Sequence, residues 1–492
     1  MSSWSSPSAA PGNTPSPGAA LITTILILLP IGAALAIWIT PWSSPRSAGS
    51  FALLVALAEL ALWVGTALNF DFGATGLQNE ADVTWFADLD VAYKVGFYDY
   101  SLWLVGLTAV VTAAVVGYGL WAGRERLGVY LSLLLFLEGA TIGVFAAQDL
   151  VVFYVFWEAM LIPLYVLIGV WGGAGRLGAT YKFVAYTVAG SLLMLVAIIA
   201  AGLGEGSFDI AELAGQGTST WIFLGFAAAF AVKAPLWPFH GWLPDAYRES
   251  PPEVAGVLSG VISKTAAYGF LAIAIPLYPG PAEDWRTPIL VLASIGLVYG
   301  SLLAFRAPDV RGVIAYSSLA QMNLIVIGIF AVNASGYTGA LLQMVNHGLI
   351  SAALFLLAGA IERRTSTGEL RLLGGMARGR PILATILITT GVIALAVPGS
   401  SAFAAEFLVL NGIFDIGWGW AVVGAVAIVL AAMYMLRLIS AVLHEEVGSA
   451  VPAEALDLRP AEVGVIAPLV VVLLVLSFWP AAITERVFGT VF

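Results

Sequence analysis

The chain has 492 residues, 60% of them hydrophobic and only 10% charged, with a net charge of −10. A soluble domain averages about 25% charged residues, so this composition excludes an ordinary soluble protein and calls for a surface that meets lipid. Cysteine is absent and the histidines are His240, His347 and His444 alone, which excludes iron–sulfur clusters held by this chain and offers no matched pair of haem ligands. No Walker or dinucleotide glycine motif follows a strand, so no cofactor is expected in the chain itself. In chain order, residues 1–18 are rich in Ser, Pro, Gly and Ala without a basic run; they read as a disordered, outward-facing tail and not as a signal peptide.

A membrane-crossing helix needs about 20 apolar residues. Fourteen such spans are predicted, at 19–41, 49–69, 99–121, 128–147, 150–171, 183–204, 218–238, 253–275, 288–305, 312–331, 336–360, 381–414, 418–441 and 462–483. The expected fold class is therefore an all-α polytopic membrane protein. Its expected parts are helices 1–3 (19–127), a first five-helix repeat (128–275), a second (276–441), and a loop with the last helix (442–492).

Lys and Arg placement gives an orientation. The loops after the odd-numbered spans, with the adjoining span ends, hold 15 of the 20 basic residues, from Arg46 to Arg459. The opposite side holds only Lys94, Arg286 and Arg486, beside an acidic loop with Asp71, Glu80, Asp82, Asp88 and Asp90. The expectation is cytoplasmic odd loops and both termini outward.

Two spans carry breakers. Span 7 ends in Lys233-Ala-Pro235-Leu-Trp-Pro238, and span 12 contains Val397-Pro398-Gly399-Ser400. Proline removes a backbone donor and clashes with the preceding turn. Broken helices at membrane depth are tolerated where they line a cavity or are buried in protein. The two lie five spans apart, so equivalent spans run in opposite directions. That is the pattern of an inverted repeat, spans 4–8 against 9–13.

Charges inside spans are costly and mark proton or ion pathways by default. Five stand out: Glu138, Glu158, Lys233, Lys264 and Glu406, with His347 in span 11. Burial brings Glu and Lys toward neutrality, and His titrates close to neutral pH, so such a set can pass protons. The structural alternative is a pair of charges that only locks helices together. Glu158 and Lys233 are expected to pair. His240, after the span 7 break, reads as loop or gate. His444 reads as a solvated face, Glu59 as helix packing, and Lys182 and Arg437 as snorkelling ends.

Several segments resemble the antiporter-like membrane subunits of respiratory complex I. They are Phe156-Trp157-Glu158-Ala-Met-Leu-Ile-Pro163; Lys233-Ala-Pro235-Leu-Trp-Pro238-Phe-His240-Gly-Trp-Leu-Pro244-Asp245; Lys264-Thr-Ala-Ala-Tyr-Gly269; Ile314-Ala-Tyr-Ser-Ser318; and Gln343-Met-Val-Asn-His347-Gly348. The resemblance runs in order over roughly residues 100 to 440. Glu406, in Pro398-Gly-Ser-Ser-Ala-Phe-Ala-Ala-Glu406, points to the M type, because the L and N types and the Mrp antiporter homologues usually carry Lys there. The resemblance implies a proton-transfer row of Glu158, Lys233, Lys264, His347 and Glu406. It implies NADH, FMN, iron–sulfur clusters and quinone on partner subunits, L- and N-type neighbours, and a bacterial inner membrane. Secondary candidates are Glu138, His240 and Gln321. Gln321 stands where many relatives have His; an amide cannot take up and release a proton near neutral pH, so a gap is expected between Lys264 and His347. The run Ser250-Pro-Pro-Glu253-Val also departs from the family pattern. The alternative reading is an Mrp-type cation/proton antiporter or a membrane hydrogenase subunit.

Overall fold

The computed structural model describes residues 17–488. The tail expected over residues 1–18 lies outside them, except that Pro17 and Gly18 open the first helix. Twelve helices among the described residues are long and apolar enough to cross a membrane. Two more crossings, spans 7 and 12, are each split into halves, which gives the fourteen spans in the predicted places. Their bounds are Pro17–Ile39, Pro45–Asn69, Asp99–Ala122, Leu127–Ala146, Leu150–Trp171, Arg176–Glu205, Thr220–Lys233 with its sequel, Pro252–Leu277, Arg286–Arg306, Val310–Ile329, Ala334–Thr365, Pro381–Ala394 with Ser401–Phe414, Trp418–Leu443, and Pro460–Phe478. Among the described residues one element is not helical. The acidic loop after span 2 folds as an antiparallel hairpin, β1 (Gln78–Phe86) and β2 (Val91–Phe97). Val and Phe in both strands, with Thr84 and Trp85 in the first and Tyr93 in the second, favour an extended chain.

Two inverted repeats organise the centre, and their most exact trace is in the backbone. Leu150 N–H donates to Phe208 O and Ile210 N–H to Gln148 O, each at 2.9 Å. Val310 donates to Gly368 and Leu370 to Pro308, again at 2.9 Å. Every residue of the second bridge is displaced from its counterpart by the same number of positions. The caps follow the same spacing. Asp149 accepts from Val151 and Val152 at the start of span 5, and Asp309 accepts from Gly312 at the start of span 10. A carboxylate at that position satisfies helix donors that have no partner within the helix. Span 6 ends at Gly206 and span 11 at Ser366, both left-handed. The side-chain reason for the first ending is plain, since glycine adopts positive φ without a Cβ clash.

The breaks fall where the prolines place them, with bounds tighter than expected. The helical part of span 7 stops at Lys233, five residues before Pro238. Backbone groups freed there are recovered: Leu236 N–H reaches Ala231 O at 2.8 Å, and the Trp242 indole N–H donates to Val232 O at 2.9 Å. Two irregularities were not anticipated. Span 5 is interrupted at Met160, three residues before Pro163. Span 8 widens to i→i+5 bonding at Leu258–Ile262 and Phe270–Ala274, on either side of Lys264; such turns occur often at functional sites. Pro252 opens span 8, and Glu253 beside it is wholly buried against Arg124 at 2.7 Å, which accounts for the unusual helix entry.

Candidate functional site

The charged residues predicted as a row form two clusters, one per repeat, with Lys264 joining the second. In the first, Trp157, Glu158, Thr187, Ser191 and Lys233 line one small cavity. The expected Glu158–Lys233 ion pair is absent. Lys233 Nζ instead lies 3.8 Å from the centre of the Trp157 ring, while the carboxylate shares the cavity at a distance. The indole face attracts the ammonium through its quadrupole, and its N–H is held by Ser191 Oγ at 3.3 Å. Lys233 is buried and Glu158 is half-buried, toward the outside of the bundle.

The second cluster is continuous. Lys264 Nζ is 2.7 Å from His347 Nδ1 and 3.3 Å from Ser263 Oγ, and it also donates to Ser259 O. When Lys264 is charged it can only donate, so His347 Nδ1 then accepts and a neutral ring carries its proton on Nε2. Among the described residues no protein group meets Nε2. It faces a cavity of about 20 Å3 lined by Gln321, Gln343, Ser351 and Tyr434 among others, large enough for one water. Across it Gln343 Nε2 donates to Gln321 Oε1 at 2.7 Å, and Gln321 Nε2 donates to Glu406 Oε1 at 3.2 Å.

The gap expected at Gln321 is thus misplaced. Lys264 and His347 touch directly, and Gln321 stands between His347 and Glu406. The other candidates fall outside this connected set. Glu138 is buried in span 4 with no hydrogen-bond partner. His240 is half-buried beyond the span 7 break, edge-on to Tyr299 at 5.3 Å. Burial and the nearby Lys182 hold its pKa below the usual histidine value. His444 is exposed, as expected. Lys182 pairs with Asp245 at 2.7 Å, and Arg437 donates to Ala307 O at 2.9 Å.

Three contributors escaped the sequence reading. Trp157 stands out in the sequence only as part of the Phe156–Pro163 segment. Tyr434 lies in the last span of the second repeat, beside Gln321 and Glu406. Its hydroxyl can both donate and accept, which the amide of Gln321 cannot do for a travelling proton. Tyr247 is buried, with its hydroxyl toward Ser259, Ser263 and Ser318, and Ser259 Oγ donates to Ser318 Oγ at 2.9 Å. This hydroxyl group packs around Lys264. Tyr434 and Tyr247 carry no local signal, because an isolated tyrosine in an apolar helix reads as core.

Residues 147–431 match the family described as NADH:quinone oxidoreductase/Mrp antiporter, TM. The chain is 36% identical over 487 residues to NADH-quinone oxidoreductase subunit M of Rhodobacter capsulatus, covering 95% of this chain and 94% of that one. It is 34% identical to the protein of the same name from Mycobacterium tuberculosis, over 94% and 92%. Among solved structures, a chain of respiratory complex I from Thermus thermophilus with bound NADH superposes with a TM-score of 0.86 at 30% identity, covering 94% of this chain and 97% of that one. A chain of the Mrp complex from Dietzia sp. DQ12-45-1b also gives 0.86, at 22% identity over 96% of each; at that identity the likeness is one of fold.

Proposed function

We propose, for a chain that belongs to the NADH:quinone oxidoreductase/Mrp antiporter family of membrane subunits, that it is the M-type subunit of a proton-translocating NADH:quinone oxidoreductase. It does no redox chemistry itself. Quinone reduction elsewhere in the complex drives proton transfer along its buried Glu, Lys and His residues. The observation that carries this is the contact of Lys264 with His347, leading by way of Gln321 to Glu406, wholly inside a helical bundle. In this reading a proton enters at Glu158 and Lys233 from the face rich in arginine, taken as cytoplasmic. It passes Lys264 and His347 and leaves near Glu406. Tyr434 and one water bridge the amide of Gln321. NADH, FMN, iron–sulfur clusters and quinone belong to partner subunits, with L- and N-type subunits alongside in a bacterial inner membrane. An acid at Glu406 supports this reading over the Mrp-type antiporter.

The test is Lys264→Met in the complex reconstituted into vesicles. The expected result is assembly with loss of most proton translocation. A scaffold whose charges only pack helices would keep an undiminished proton gradient in that variant, and that result would end the proposal.

A further inference from the structure

Glu59, read above as helix packing, has a more specific setting. Spans 2 and 4 both start at the arginine-rich face, and they touch there. A methyl group on Gly128 would meet Ala48 Cβ at 3.4 Å, and one on Gly49 would meet Leu131 at 3.3 Å. Glu59 lies eleven residues beyond Ala48, three turns up span 2 and on the same side. Glu138 lies seven residues beyond Leu131, two turns up span 4 and again on the same side. From the Ala48–Gly128 contact the climb is roughly 16 Å to Glu59 and roughly 15 Å to Glu138, at about 1.5 Å per residue. The two carboxyls therefore meet at one depth, near the middle of both spans, and each acts electrostatically on the other.

Both are buried, Glu59 completely and Glu138 to 2% exposure. All four carboxyl oxygens lack a hydrogen-bond partner. No base faces them. Span 1 has no charged residue, and span 3 has only Asp99 at its far end. Arg46 stands at the start of span 2, and Glu158 belongs to the first cavity. Lys264, on a helix that also packs against span 4, spends its donors on Ser259, Ser263 and His347. Two facing carboxylates cannot both ionise in such a place. A protonated carboxyl, in contrast, becomes a donor and satisfies its neighbour.

We propose that Glu59 and Glu138 form a second proton-binding site, an acid pair off the main row that holds at least one proton at neutral pH. Losing one proton leaves the other between two carboxyls, so the second is retained. The pair thereby stores charge in single steps, with Glu138 on a helix that packs against span 5.

Infrared difference spectra of the assembled complex test this, wild type against Glu59→Gln, Glu138→Gln and the double variant. The double variant should lack the band of at least one protonated carboxylic acid, and each single variant should remove or displace that band. Glu59→Leu with Glu138→Leu serves the same comparison should the Gln pair prevent assembly. No loss of a carboxylic acid band in the double variants would overturn the site. A Glu138 band unmoved by Glu59→Gln would overturn the pairing.

Discussion

In the first repeat Lys233 ends a half-helix and rests on an indole, with Glu158 across a cavity. In the second, Glu406 lies inside the half-helix after the break and accepts from an amide. The backbone bridges, the aspartate caps and the left-handed helix ends coincide between the repeats. The side chains do not. By the displacement that carries Leu150 onto Val310, Glu158 falls on Ser318, Thr187 on His347 and Ser191 on Ser351. The fold thus supplies the same slots twice, and each half fills them with its own chemistry. One half holds a separable charge pair, suited to switching. The other holds a connected series, suited to conduction.

The largest expected effect comes from the slot shared by Thr187 and His347. His347→Leu removes the acceptor of Lys264 and the donor that faces the cavity. Proton translocation in vesicles should fall by about a hundredfold, the lower end of what a positioned acid–base group supplies. Thr187→Val in the equivalent slot should leave it nearly unchanged, because the Thr187 hydroxyl is already bonded to Phe183 O at 2.8 Å. Equal losses in both variants would mean that the halves are not divided in this way.

A smaller loss is expected from Trp157→Leu, which takes away the face on which Lys233 rests. A buried cation–π contact is worth about 2 kcal/mol, so without it the ammonium should turn to Glu158 and form the missing ion pair. Proton yield per quinone reduced should drop several-fold while assembly persists, and Trp157→Phe should recover part of it. Gln321→Leu should cost less than His347→Leu, since Tyr434 remains beside the cavity, and Gln321→His should preserve translocation. Loss of function in Gln321→His would show that the amide itself is required.

Much of this was legible in the sequence. Spans were readable because lipid imposes a length and forbids free backbone donors. The breaks were readable because Pro235, Pro238, Pro398 and Gly399 announce them. The five charges were readable because their cost inside a membrane makes them conspicuous. Order within the row was not. Gln321 lies 26 residues before His347 in the chain, but the packing of spans 10, 11 and 12 sets it on the far side, next to Glu406. The partner of Lys233 was misjudged for a related reason. A charge pattern names an opposite charge as the partner and cannot show that an indole adjacent in sequence takes that place. Glu59 and Glu138 were both visible as acids, yet only the packing of span 2 on span 4 makes them a pair.

The smallest effect concerns the two bridges themselves. Asp209, at the first bridge, pairs with Lys94 of β2, and Asp309, at the second, pairs with Arg248 at 2.9 Å. Ion pairs this near the surface are worth about 0–1 kcal/mol each. Lys94→Met should therefore raise hydrogen exchange at Leu150 and Ile210 only slightly, and Arg248→Met should do the same at Val310 and Leu370, each confined to its own bridge. The two differ in their response to pH. Burial disfavours the charge on Lys94, but Asp209, with Glu80 and Asp82, more than reverses this, and its pKa is raised. A raised pKa means that the stabilisation is complete below the ordinary lysine value of about 10.4 and is lost as pH climbs through the folded value. Arginine keeps its charge throughout. Strong alkali should release the first bridge before the second, while protection at both, corrected for intrinsic rate, should hold level from neutral to mildly alkaline pH. A first bridge that loosened already at mildly alkaline pH would show that Lys94 does not fasten it.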